Sequence, residues 1–328
     1  MANGVGLLVV LFDQAWFMGA FFLIAGHFTP SSYDRRKDAG GFLRDRVIRL
    51  VIPLAAFDLV IGPATIIPAG LRAHAHLSLE TYLTRMVGPG PLWFVEVLFL
   101  LTCAYVAIRL LRRRPAPEPS ADPAASPNAV AVFLFTLALA AVTFAFRQVV
   151  HIGSTLPVLD LPTPAYLPQY VGLFAVGVVA ARRGWFRSIP DWMGWAGLAI
   201  SAVATVVLFL PALLTGLKAG AWVGGMHWQA AAYALWDSTL AVGMFLGLLV
   251  VFRRWANRPG ALWDELSRGA FGVYVLHAPL VVGLTVLLSG VRLEPLLKLL
   301  LAIAIALPLC FTVAGLVRRL PGIRRVLA

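Results

Sequence analysis

The chain has 328 residues, 60% of them hydrophobic and only 13% charged, with a net charge of +12 and a mean hydropathy of +0.85. A soluble domain carries about a quarter charged residues and has to cover its surface with them. This composition therefore excludes an ordinary soluble fold and points to lipid as the solvent. Nucleic acid is excluded as a partner as well, because Arg and Lys fall in short tracts between apolar runs, which is the membrane pattern.

Crossing a bilayer as a helix takes about 20 mainly apolar residues at 1.5 Å per residue. Nine runs qualify: Leu7–Phe28, Ile48–Gly70, Pro91–Leu111, Ala129–Val150, Pro164–Ala181, Met193–Thr215, Ala230–Phe252, Phe271–Val291 and Leu296–Val317. They are long and lack period-two alternation, so they predict an all-α polytopic bundle rather than a barrel. The last two runs are so close in sequence that they predict a tight helical hairpin. Between the third and fourth, residues 114–128 read RPAPEPSADPAASPN, a Pro/Ala/Ser-rich flexible linker inside one domain spanning residues 1–328. No internal repeat is visible.

The loops set the orientation. Of the 27 Arg and Lys residues, 21 fall in alternate loops and the tail; the other six are Arg72, Arg85, Arg147, Lys218, Arg292 and Lys298. The richer side is expected to be cytoplasmic, which predicts an outside N-terminus and a cytoplasmic C-terminus. Arg147 is read here as an outer loop charge.

Ionisable groups inside spans are costly and face a cavity or a partner. Asp13, Asp58, Glu96, Asp237 and His277 are of this kind, with His27 and His151 near span ends. Tyr274 and His277 lie three apart and share a helical face, as do Trp93 and Glu96. Each is open to a structural reading as a helix-to-helix hydrogen bond. Together they predict at least one polar cavity. Cys103 and Cys310 sit in apolar runs without CxxC or Cys/His spacing, so they read as small buried hydrophobes and no metal site is expected. GxSxG, GxxxxGK[ST] and HExxH are all absent, as is a His followed five positions later by Asp. Asn3, Asn128 and Asn257 lie outside the spans, against an intramembrane Asn/His pair.

The densest basic segment is Phe42–Pro53, FLRDRVIRLVIP. Arg46 and Arg49, three apart, would share a face of the helix entering the second run. They read either as a topology anchor at the headgroups or as a phosphate clamp, since Arg binds phosphate bidentately.

These segments resemble the acyltransferase-3 family of bacterial membrane O-acyltransferases, in a branch resembling the succinyl-transfer proteins of periplasmic glucan biosynthesis. The resemblance rests on FMGAFFLIAGHFTP (Phe17–Pro30), FLRDRVIRLVIP, GPLWFVEVL (Gly90–Leu98), PQYVGLFAVGVVAARRGW (Pro168–Trp185), YALWDSTLAVGMFLGLLVVFR (Tyr233–Arg253) and FGVYVLHAP (Phe271–Pro279), in order. It implies a bacterial inner-membrane enzyme moving an acyl group from a cytoplasmic donor such as acyl-CoA to a hydroxyl, often on a carbohydrate, with no tightly bound cofactor. Arg46 and Arg49 map onto the family's Arg-x-x-Arg and would bind the donor. The family's basic residue and His, eleven positions apart on its first helix, have no counterpart here. The first run resembles the family's second helix, so the helix bearing the base is expected to be missing and the chain to be truncated or inactive. Two milder departures are Ala25 for a usual Ser and Asp237 for a usual Glu. Without the family's His, the catalytic candidates are His277, Glu96 and Asp237. The alternative readings are a transporter or flippase for an acyl group or lipid-linked sugar, and a non-catalytic scaffold.

Overall fold

The computed structural model describes residues 2–36, 38–65, 90–112, 126–156, 161–216, 220–256 and 260–322. Among them are nine helices long and apolar enough to cross a membrane: α1 (Leu8–Arg36), α2 (Ala39–Thr65), α3 (Gly90–Arg112), α4 (Ala129–Phe146), α5 (Pro164–Arg183), α6 (Asp191–Gly216), α7 (Trp228–Ala256), α8 (Trp263–Gly290) and α9 (Pro295–Val317). The nine runs expected from hydropathy are these helices. The described residues form no strand beyond a single bridge, Leu156 with Leu161. Most of the linker expected at 114–128 lies outside the described residues. Its last residue, Asn128, accepts a hydrogen bond from the Ala131 amide at 2.7 Å and so caps α4.

The chain forms two compact bodies. One comprises residues 3–39 and 104–257 and holds α1, the last turns of α3, and α4 to α7; the other comprises residues 40–103 and 258–328 and holds α2, the start of α3, α8 and α9.

In the first body, glycines let backbones approach. A Cβ on Gly26 would overlap the Phe174 carbonyl oxygen of α5, and one on Gly177 would overlap the Leu23 carbonyl of α1. Gly194 and Gly197 of α6 do the same for α7, against Val250 and Gly243. Lipid tails are as apolar as leucine, so helices in a bilayer associate through such close packing rather than through hydrophobic transfer. Gly184, at φ +66°, ends α5 in the left-handed conformation that costs glycine nothing. The body's centre is aromatic: Trp236 and Phe209 stack at 4.1 Å, and Tyr233 meets Trp236 edge-on at 5.1 Å.

In the second body α8 and α9 form the expected hairpin. Glu294 accepts from the amides of Leu296 and Leu297 and caps α9, with Pro295 in its first turn. Lys298 donates to the Ser289 and Val291 carbonyls at the turn, and at the hairpin's other end Arg318 meets Glu265 at 3.5 Å.

In two helices a π-helical segment precedes a proline by two residues: Val47–Val51 before Pro53 in α2, and Thr205–Phe209 before Pro211 in α6. A proline in a helix lacks the N–H and crowds the carbonyl four residues back. A wider turn takes up that clash.

Candidate functional site

The most polar region of the first body is built around Arg147. The residue follows the last turn of α4, and its side chain is fully buried. Nη2 donates to Oδ2 of Asp237 on α7 at 2.6 Å, and Nε donates to the Ala165 carbonyl at 3.3 Å. The guanidinium lies over the rings of Tyr166 and Tyr233, at 4.7 and 5.4 Å, and the two phenols hydrogen-bond each other at 3.2 Å. Burial works against the charge of Arg147, but the Asp237 carboxylate together with the Tyr166 and Tyr233 phenol oxygens more than offsets it and holds the guanidinium pKa above its ordinary value. The network extends inward. Gln169 donates to the Ala15 carbonyl at 2.7 Å and Gln14 to the Tyr170 hydroxyl at 2.8 Å, so α1, α4, α5 and α7 are joined by polar bonds away from water. Among the described residues, Nη1 of Arg147 and Oε1 of Gln169 find no hydrogen-bond partner, though both are buried.

The expectation for Arg147 needs correction on this point. It was read as an exposed loop charge, yet it is the counter-charge of Asp237. Arg147 holds one carboxylate oxygen of Asp237, and the Ser238 hydroxyl donates to the other at 3.4 Å. The pair ties α7 to the residue that follows α4.

At the Arg-rich end of the same body, Arg182 pairs bidentately with Asp34 at 2.5 and 3.1 Å and donates to Tyr105 at 3.2 Å. Arg253 and Arg254 both pair with Asp191. His27 stacks on Phe186 at 4.0 Å, and its buried Nδ1 has no hydrogen-bond partner among the described residues. Asp13 and His151 are exposed.

The second body holds the other candidates. Tyr274 of α8 donates to the Pro91 carbonyl at 2.5 Å and meets Phe94 edge-on at 6.1 Å, which seats it on the start of α3, the helix that carries Glu96. The expected sharing of a face by Tyr274 and His277 is present, with ring centroids 5.9 Å apart. His277 Nδ1 lies 2.6 Å from the Tyr274 carbonyl oxygen. A carbonyl only accepts, so Nδ1 carries the proton and the Nε2 lone pair is left for another donor. His277, Glu96 and Asp58 are half-buried.

Arg46 lies over the ring of buried Phe42 at 5.0 Å and is half-buried, whereas Arg49 is exposed. The π turn at Val47–Val51 begins directly after Arg46 and contains Arg49. It has more residues per turn, so a three-residue step falls short of the shared face that an α-helix would give.

A protein-family model described as an acyltransferase domain matches residues 3–315. The chain belongs to the acyltransferase-3 family. No curated protein and no solved structure matches it. The chain is thus a multi-pass membrane acyltransferase, and its polar residues inside the spans are to be read against acyl transfer.

For this acyltransferase, sequence reasoning singled out Asp237, Glu96 and His277 but missed Arg147, Tyr166, Gln169 and Tyr170. One signal was available. An aspartate in mid-span needs a cation, and Arg147 adjoins the end of an apolar helix.

Proposed function

We propose that this membrane acyltransferase takes its acyl group from a thioester donor such as acyl-CoA and delivers it to a hydroxyl on a carbohydrate. Its Arg-rich face is then the cytoplasmic face of a bacterial inner membrane. The observation that carries the reading is the bond from His277 Nδ1 to the Tyr274 carbonyl, because it leaves Nε2 as a base. His277 lies fourteen residues in from Trp263, or about 21 Å along α8, so the thioester has to be drawn into the membrane, which the thin pantetheine arm of CoA suits.

Nε2 takes the proton from the acceptor hydroxyl as its oxygen attacks the thioester carbonyl. The new C–O bond forms, the C–S bond breaks, and the leaving thiolate takes the proton back from the imidazolium. Arg46 and Arg49 hold the phosphates of the donor, in keeping with their place at the basic entry to α2. Glu96, on the helix that Tyr274 touches, is the second candidate for proton handling.

The test uses the purified chain in proteoliposomes with labelled acyl-CoA and a glucoside acceptor. His277→Gln is expected to lower the transfer rate by about 10²–10⁴-fold, and an unchanged rate would overturn the assignment. Replacing Arg46 and Arg49 together by Ala is expected to raise KM for the CoA ester more than it lowers kcat. Movement of substrate across the vesicle without an acylated product would favour transport instead.

A further inference from the structure

The first body contains a groove that acyl transfer does not explain. It runs between α4, α5 and α7 at the Arg-rich end, with a free volume of about 170 Å³. Every lining residue is apolar; Val132 and Phe135 of α4, Val242 and Leu246 of α7, and Trp185 and Phe186 after α5 define it. A second groove, between α4, α6 and α7, lies on the other side of Val132, Val242 and Leu246, which line both.

Three observations at the mouth point to one kind of occupant. Trp185 lines the groove, and its indole N–H is buried with no hydrogen-bond partner among the described residues. An indole there, with an apolar body and one donor, fits the boundary between acyl chains and headgroups. Arg183 lies over the Trp185 ring at 5.6 Å, and Arg187 is exposed two residues further on. Among the described residues neither makes an ion pair, unlike Arg182, Arg253 and Arg254, whose charges Asp34 and Asp191 hold.

We propose that the groove is a binding site for an anionic phospholipid. One acyl chain lies along α4 between Phe135 and Val242. The glycerol ester region lies beside the Trp185 ring, and the phosphate rests on Arg183 and Arg187. A neutral amphiphile would fill the apolar part and leave both arginines unused, so the charge at the mouth is what selects the occupant.

The experiment places the full chain in vesicles that contain a phosphatidylglycerol with a photoactivatable diazirine in its acyl chain. A phosphatidylcholine with the same chain serves as comparison, and labelled residues are mapped by mass spectrometry. The expected result is labelling at Val132, Phe135 and Val242 that favours phosphatidylglycerol. Arg183→Gln with Arg187→Gln, both surface changes, should reduce that preference by about fivefold for each arginine removed. Val132→Trp should fill the groove and abolish labelling there, while labelling persists at Val130 and Leu134, which face outward on α4. The proposal is overturned by equal yields from the two lipids, by a preference that the double arginine variant leaves intact, or by labelling spread evenly from the groove to Val130 and Leu134.

Discussion

Helices α7 and α9 are both apolar spans, yet among the described residues 61% of α7's core window is buried and only 11% of α9's. The buried helix is the less hydropathic of the two. It carries Tyr233, Asp237 and Ser238 along with Gly243 and Gly247, while α9 exposes Leu296, Leu297, Leu299 and Leu300. In water the order would be reversed. In lipid, leucine gains little from a protein neighbour, so burial goes to residues that need a partner or allow a close approach.

The sharpest way to break this comparison is to leave one charge of α7's ion pair alone. Asp237→Ala strands the Arg147 guanidinium and is expected to cost about 3–5 kcal/mol. Arg147→Met combined with Asp237→Leu should recover most of that, because no buried charge remains. Thermal unfolding in detergent measures both, and a single variant as stable as the parent would refute the role given to the pair. Gly177→Leu comes next. Its side chain would meet the backbone of α1 at Leu23 and His27, so a loss of about 3 kcal/mol or more is expected, whereas Gly315→Leu on α9, with nothing within 4 Å, should have no effect. Chromatographic yield of folded protein separates the two. Tyr170→Phe removes the acceptor of Gln14 and should lower stability by about 1 kcal/mol. Leu300→Ala on the exposed face of α9 should change stability by less than about 0.5 kcal/mol. A large loss there would mean that α9 has protein packed against it.

The spans were legible because 1.5 Å per residue and the cost of unpaired backbone groups in lipid leave few other ways to arrange runs of such length. The hairpin of α8 and α9 was legible because four residues cannot stretch far. The partner of Asp237 was not, since its position in the chain says nothing about which arginine reaches it. Counting Arg147 as a topology charge assumed that every arginine beside a span points to water. The face shared by Arg46 and Arg49 assumed α-helical winding, and Pro53 was the warning, four residues after Arg49, that the winding would change. The tautomer of His277 needed coordinates, because only the short contact to the Tyr274 carbonyl fixes the proton.

The pairing of Arg147 with Asp237 also bears on how the chain is assembled. The two residues are separated by 90 positions, so at about 5–20 residues per second the aspartate is synthesised between about 5 and 18 seconds after the arginine. During that interval α4 is in the membrane with an unneutralised cation at its end, and the headgroup water is the only place for it. The guanidinium can be drawn inward only when α7 arrives. Completion of the first body is therefore a single late event that withdraws two charges from solvent together, and a chain halted before residue 237 would display Arg147 at the membrane surface as a mark of unfinished assembly.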